Sequence, residues 1–558
     1  METTLPRVLR TLAVGLAVLA VLAYVFYLAV YVNYAVDLFR WPFDYDQGEG
    51  FELYDAVLFS RGEWPYRDNA AFPFYSSNYP PLFRLLMVPL LPIFGPRLIA
   101  GRLISFVATL VTAAAISVVV RRKTRDPSQG RVTNWLLPTV SGLAFLASNY
   151  VYQIGPLSRM HMTLVMFETL AIAFIAEFEH PRHGTRNLVI GLILLFCAGY
   201  TKQTAVFTVG AALTFVFLRD VKKAVVSGTG LAVAAGVVFW LINVATDGAW
   251  WVNIIQANVN VFDYRQTIFL FGQWFRIHTL FVVLAVGYLV YELFWDRLSA
   301  YSLWFAFALG AGALSGKWGA GFGYFNTAVA AACLISGLAL GKIGEKWERL
   351  PLPAGGLEVS ARPLLVVTIS LLYLVQAPRM LHLPTSGPVF GPVARALGVD
   401  GDLVYGEGDG LISTHCASVA YHDAMGYTQL GHPLTAEDRA AGDDIIAYVE
   451  EADGPVLSEE AMFSILAGKP VVTNPTQLLN LYNNDLLDTS EIIEMVDRQA
   501  FDVVIFRAQF YPPPVLEAVG QNYRPVDHIC MNGFYYHILR PTRLLDAGPR
   551  SDEQTAER

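Results

Sequence analysis

A chain carrying one apolar stretch after another, each near the roughly 20 residues a helix needs to cross a bilayer core, has few folds open to it. In hydrocarbon every backbone N–H and C=O must find its partner within the protein, so such stretches become packed helices. Here they run at about 8–33, 98–120, 134–151, 161–178, 187–201, 203–219, 223–243, 277–295, 300–316, 322–341 and 362–382. Eleven membrane helices are therefore expected. The composition agrees: 54% hydrophobic and 15% charged over 558 residues, with a mean hydropathy of +0.43, excludes an ordinary soluble protein. The first stretch is too long for a signal-peptide core and lacks a small-residue cleavage site, so it is expected to stay as an anchor.

The segment 187–218 tests the count. As a single helix of 32 residues it would be about 48 Å long, against a bilayer core of about 30 Å. Folded as a hairpin, it puts Arg186, Arg219, Lys222 and Lys223 on one face and Lys202 at the opposite turn. Arg7, Arg10, Arg121, Arg122, Lys123, Arg125, Arg131, Lys342, Lys346 and Arg349 fall on the same side as the hairpin cations. Positive charge marks the cytoplasmic face. The expectation is a multi-pass protein of the plasma (cytoplasmic) membrane with its N-terminus inside. Loops 34–97 and 244–276 and everything after about 384 would lie outside.

The first external loop, 34–97, concentrates the chemistry. Asp44, Asp46 and Glu49 fall within six residues of one another, just where the chain leaves the bilayer. Carboxylates at that depth need water, a cation or a substrate to justify them. Residues 51–62 read as an amphipathic helix lying in the interface. The run 82–94, bracketed by prolines, reads as interfacial or re-entrant. The aromatics of loop 244–276, Trp250 and Trp251 among them, suit interfacial anchoring or stacking on a sugar or polyprenyl chain.

Residues 1–383 thus form a transmembrane domain, and 384–545 read as a soluble α/β domain. Its strands are expected at 455–457, 470–472 and 502–506, its helices near 437–452, 489–499 and 513–520. Residues 546–558 are polar and expected to be disordered. Gly406-Glu407-Gly408-Asp409-Gly410 is read as a turn rather than a nucleotide fingerprint. Cys416 and Cys530 fall in the external part and could pair there. Net charge is −8 with no basic cluster, so no nucleic-acid partner is expected.

The acidic loop continues through Gly62-Glu63-Trp64-Pro65-Tyr66-Arg67-Asp68 to Tyr79-Pro80-Pro81-Leu82-Phe83, with Gly95-Pro96-Arg97-Leu98 opening the next span. Over roughly 1–345, and most strongly over 40–120, this resembles the membrane glycosyltransferases of the GT-C fold. It looks most like the branch holding protein O-mannosyltransferases and lipid A aminoarabinose transferases. The resemblance implies a GT-C-like bundle of about eleven helices with an extracytoplasmic α/β domain. It also implies transfer, with inversion, of a sugar from a polyprenyl-phosphate donor to a glycan, lipid or protein acceptor. Where that family's acidic motif reads Asp-Glu, this chain reads Asp46-Gln47. By motif position Asp46 is implied as general base, with Asp44 and Glu49 as alternates. A base within hydrogen-bond reach contributes about 10²–10⁴-fold.

The departing phosphate needs a cation at the external face. Lys202 and Arg159 are the first candidates, Arg102, Arg265 and Lys317 weaker ones, with His161 and Tyr79 as further binding residues. Snorkelling accounts equally well for Lys202 and Arg159, and His161 could simply be packed. Glu63, Arg67 and Asp68 are read as loop structure. Asp44 and Asp46 could hold a divalent cation, although two carboxylates underfill a site that asks for about six oxygens; no cofactor is otherwise implied. Two rivals stand beside the transferase: a transporter or flippase of a lipid-linked saccharide, and a catalytically inactive binding subunit. A coupled transporter would more typically bury its ionisable groups near the midplane.

Overall fold

The computed structural model describes residues 4–125, 131–347, 352–354, 357–359, 362–380, 387–396, 416 and 433–546. Each of the eleven expected spans contains a helix. Arg7–Arg40, Ile99–Thr124, Gly184–Thr201, Val221–Ala245, Phe322–Glu345 and Pro363–Met380 are long and apolar enough to cross a bilayer. Tyr264–Ile277 and Thr279–Trp295 pass together as a pair bent by 97°. Asn134–Ala147, His161–Ile175, Gln203–Phe217 and Ala300–Gly316 are apolar but shorter. The protein is a multi-pass membrane protein.

Position within the bundle follows side-chain size. In the most apolar 18-residue window of Phe322–Glu345, 89% of the residues are buried, against 11% in that of Val221–Ala245. The first carries Ala328, Ala330, Ala331 and Ala332, which let neighbouring backbones approach closely. The second turns Val225, Val233, Val237 and Leu241 outward, as a helix bathed in lipid does. One carboxyl, Glu168 on His161–Ile175, does lie inside the bundle, and it accepts hydrogen bonds from Thr208 at 2.7 Å and Thr327 at 2.6 Å.

The hairpin at 187–218 forms. Its far end returns to its start, with Phe215 against Phe178 at 5.7 Å and Arg219 paired with Glu179 at 3.4 Å. Lys123 pairs with Glu177 at 2.6 Å, and Lys342 lies 4.0 Å from Asp296. Lys123, Glu179, Arg219 and Lys342 all border one hollow at that end of the bundle.

The opposite end differs from expectation in two places. The stretch read as the loop 244–276 is largely helical, with Ala249–Ile254 and Tyr264–Ile277. Leu270, Trp274 and Ile277 of the latter are buried, while Tyr264, Ile268 and Phe275 are exposed. That stripe lets the helix lie across the bundle instead of continuing into it. The 51–62 helix forms at Glu49–Ser60, but its polar stripe faces inward: Glu49, Glu52 and Asp55 are all buried. It is a buried layer, not an interfacial float. The run 82–94 breaks into short helical pieces with Leu85, Leu86 and Ile93 exposed, as an interfacial segment should.

The C-terminal part is a small α/β unit. Its strands lie in the spatial order Val456–Ser458, Val503–Phe506, Phe534–Pro541 and Tyr523–Met531, the first pair parallel and the others antiparallel. Helices Ala436–Glu450, Ser490–Asp497 and Pro513–Asn522 match the expected ones. Residues 470–472 are not a strand; Thr473 instead bridges to Phe74 of the first loop. Cys416 and Cys530 form a disulfide, with Cα atoms 5.9 Å apart. The turn read at 406–410 and the tail 547–558 lie outside the described residues.

This unit is docked on the first loop. The Met462 N–H donates to Asp44 Oδ2 at 3.0 Å, Phe463 packs on Phe43 at 5.9 Å, and Asn474 Nδ2 donates to the Ser76 carbonyl at 3.2 Å.

Candidate active site

Helix Glu49–Ser60 builds the site. Glu49, Glu52 and Asp55 recur every three residues and so share one stripe. Glu49 and Glu52 also sit in the first turn, where the helix dipole favours negative charge. Two buried arginines meet the stripe. Arg84 contacts Glu52 at 2.6 Å and Asp55 at 3.2 Å. Arg102 contacts both Glu49 oxygens, at 2.8 and 2.7 Å. Opposite charge in so dry a place explains why the stripe faces in.

Beside this helix lies a cavity of about 490 Å³. Asp46, Glu52, Arg84 and Arg159 give it charge, and Trp318 and Phe510 close one side. Asp46 and Arg159 approach to 3.7 Å, and Asp46 Oδ1 accepts the Gly48 N–H at 3.0 Å. The cavity narrows into an inner pocket of about 70 Å³, which shares Asp46, Tyr79 and Arg159 with it and adds His161, Lys202 and Tyr324.

Lys202 follows the last residue of helix Gly184–Thr201 at the hairpin turn. Its Nζ lies 3.1 Å from His161 Nδ1, over the Tyr324 ring at 4.6 Å and the Tyr79 ring at 5.9 Å. Burial above all, then the positive charges of Arg159 and Lys317, pull this lysine down to about 7. Burial also pushes Glu52 up to about 7, against the pull of Arg84 and Arg159. An ammonium poised near neutrality beside an arginine is an anion site that gains its full charge when the anion arrives.

The C-terminal α/β unit supplies one wall of the cavity. Buried Glu459 accepts N–H groups from Arg507 at 2.5 Å, Ala508 at 2.7 Å and Phe510. That grip presents Phe510 to Trp318 at 6.1 Å.

Of the residues singled out by sequence, Asp46, Tyr79, Arg159, His161 and Lys202 are brought together around the cavity. Asp44, Glu49 and Arg102 border neither chamber and are fully buried. Asp44 accepts the Gly50 N–H at 2.5 Å and the Met462 N–H, and burial, with Glu460 and Glu49 near, raises its carboxyl well above the usual range. Glu49 also takes the Ser158 N–H at 2.6 Å and the Tyr45 N–H at 2.9 Å.

Asp44 and Asp46 do not converge on a shared opening, so as a pair they do not fit a cation. Among the described residues no group of three or more His, Cys, Asp and Glu gathers as metal ligands would. Sequence reasoning passed over Glu52, Arg84 and Phe510. The three-residue spacing of the carboxylates was a legible signal for Glu52; Arg84 was hidden in a run read as interfacial or re-entrant.

Bundle, broken helices at its end and docked α/β unit together make a GT-C fold. No known family model matches the sequence, and comparison with curated proteins gives no match. Solved structures do match. ArnT from Cupriavidus metallidurans (a lipid A aminoarabinose transferase), crystallised with undecaprenyl phosphate, aligns with a TM-score of 0.56 at 12% identity over 92% of this chain and 97% of its own. Its apo structure gives 0.54 at 14% identity. The archaeal oligosaccharyltransferase AglB from Archaeoglobus fulgidus, in complex with an inhibitory peptide and a dolichol-phosphate, gives 0.50 at 12% identity, covering 94% of this chain and 74% of its own. At such low identities it is the TM-scores that show the shared fold, and the likeness extends to the fold alone.

Proposed function

We propose that this chain is a glycosyltransferase that takes a sugar from a polyprenyl-phosphate donor and passes it to an acceptor on the extracytoplasmic side of the cytoplasmic membrane. One observation carries the reading: a carboxylate, Asp46, and a cationic pocket of Lys202 and Arg159 face a single cavity at the end of the bundle away from Lys123, Arg219 and Lys342. The two structural neighbours that bear a polyprenyl or dolichol phosphate in their crystals support the lipid part.

Asp46 accepts the proton of the acceptor hydroxyl, whose oxygen attacks the anomeric carbon. The bond from that carbon to the phosphate oxygen breaks, and the electron pair leaves with the polyprenyl phosphate. Lys202 and Arg159 take up the phosphate charge in a site where low dielectric magnifies each interaction. A single displacement inverts the anomeric centre. Glu49 and Arg102 hold the loop that carries Asp46, and Glu49 reaches Ser158 beside Arg159. The external domain closes the cavity through Phe510.

The test is transfer of radiolabelled sugar from polyprenyl phosphate to membrane-extract acceptors, in nanodiscs. Asp46→Asn should lower turnover about 10²–10⁴-fold while donor binding persists. Equal transfer by both proteins sinks the assignment of Asp46. Saturable donor binding without transfer by the wild type favours a transporter or a binding subunit.

A further inference from the structure

A second hollow, of about 470 Å³, gathers polar side chains that the reaction above leaves unused. It lies where residues 67–69 of the first loop, residues 243–253 and the far end of helix Pro475–Asn483 meet. Asn253 fastens the three segments, donating to the Arg67 carbonyl at 3.1 Å and accepting from Gln477 Nε2 at 2.8 Å.

Asn69 is the telling residue. It borders the hollow at 4% exposure, and its Nδ2 donor has no hydrogen-bond partner among the described residues. A buried amide donor left unmet is costly, a cost that a ligand acceptor would remove. Around it, Asp68 uses Oδ1 for the Ala70 N–H at 2.9 Å, and Asn243 uses Oδ1 for the Trp251 N–H at 2.9 Å. Asp68 Oδ2 and the Asn243 amide donors make no hydrogen bond among the described residues. Trp251 meets Phe239 edge to face at 6.0 Å and keeps 46% of its surface exposed.

Amides and carboxylates around an open indole match a sugar ring, whose hydroxyls both donate and accept and whose C–H face lies flat on an aromatic. Asp68 and Asp247 outweigh Arg67, which disfavours a phosphate. No strand among the described residues borders the hollow, so a peptide would find no edge there to extend. The hollow also leads to the reaction. Asn474 and Thr476 wall the catalytic cavity and Leu481 walls this groove. Thr476 and Leu481, on one helix, are separated by about 7.5 Å of axis.

We propose that this groove seats the acceptor and that the part it holds is a saccharide. The chain lies along helix Pro475–Asn483, with its reactive hydroxyl reaching Asp46. The proposal rests on the transferase reading.

Two measurements on the full-length protein in nanodiscs test it. In the first, hydrogen exchange is followed with mannobiose, galactobiose, arabinobiose, chitobiose and trehalose at millimolar concentration. At least one should protect residues 67–70 and 243–253, and the protection should vanish in Asn69→Ala and Trp251→Ala. In the second, those variants should raise the acceptor KM in the transfer assay about tenfold, the size of one lost hydrogen bond to a ligand, with kcat at saturating acceptor retained. Trp251→Phe, which keeps an aromatic face, should recover most of the loss.

No protection by any sugar, or protection that survives both variants, overturns the proposal. Normal transfer with an unchanged acceptor KM overturns it too and leaves the transferase standing. Protection of the groove in a wild type that transfers nothing would instead sink the transferase and keep a saccharide site.

Discussion

Replacing Arg102 by Met should loosen the first external loop without removing any group that borders the cavity. Arg102 commits all five of its N–H donors: to the carbonyls of Leu38 and Trp41 at 2.5 Å each and Phe43 at 3.0 Å, and to both Glu49 oxygens. Methionine fills much of the stem's volume but leaves Glu49, which has no exposed surface, without its counter-charge. Breaking a buried pair by removing one partner costs about 3–5 kcal/mol. Glu49→Gln should cost a similar amount, because it strands the guanidinium. Removing both charges in Arg102→Met/Glu49→Gln should cost less than the sum of the single changes, by about 2 kcal/mol or more. Denaturant titration in mixed micelles reads the global effect. Hydrogen exchange over residues 43–50 reads the local one, expected to quicken roughly a hundredfold or more. Single variants that lose under about 1 kcal/mol would refute the clasp. So would a Glu49→Gln protein of unchanged stability that no longer turns over, since that would make Glu49 a catalytic group.

Three further outcomes follow from the same geometry. Lys202, pulled down to about 7, carries its charge below that pH, so affinity for the polyprenyl-phosphate donor should fall as pH rises from 6 to 9. Lys202→Arg, whose charge does not titrate, should flatten that profile in a donor-binding titration; an unchanged slope would remove Lys202 from the phosphate. Glu52 has its folded value raised from 4.5 to about 7, so its contribution to stability is complete below pH 4.5 and lost as pH rises through 7. The loss is at most about 3 kcal/mol. Glu52→Gln should abolish that slope in unfolding measured at stepped pH, and a persisting slope would refute the assignment. In Gly48→Ala the new Cβ would fall 1.6 Å from an Arg159 terminal nitrogen, while the helical φ of −94° suits alanine. The flexible guanidinium should swing away from Asp46 and weaken donor binding about tenfold, with stability changed by less than about 1 kcal/mol. Donor affinity equal to wild type would show that Arg159 does not hold the phosphate.

The spans, the hairpin at 187–218 and the helices of the external domain were legible because each depends on local composition. An apolar run must become a helix in lipid whatever its neighbours do. The candidates Asp46, Arg159, His161 and Lys202 were legible for a related reason: charge at the end of a span is rare and needs a purpose. Sequence did not reveal which way helix Glu49–Ser60 faces. A stripe of carboxylates reads as solvated until Arg84 and Arg102, more than thirty residues beyond Glu52 and Glu49, are known to lie against it. Nor could it separate Asp46 from Asp44, two residues away: one borders the cavity, and the other is tied to the Met462 backbone over four hundred residues later. The sequence by itself determined a bundle of membrane helices and a soluble cap, since hydrophobicity acts residue by residue. Only the tertiary structure decided which charges border the cavity and which are clasps, because burial and pairing are properties of neighbours that the chain brings together only when it folds.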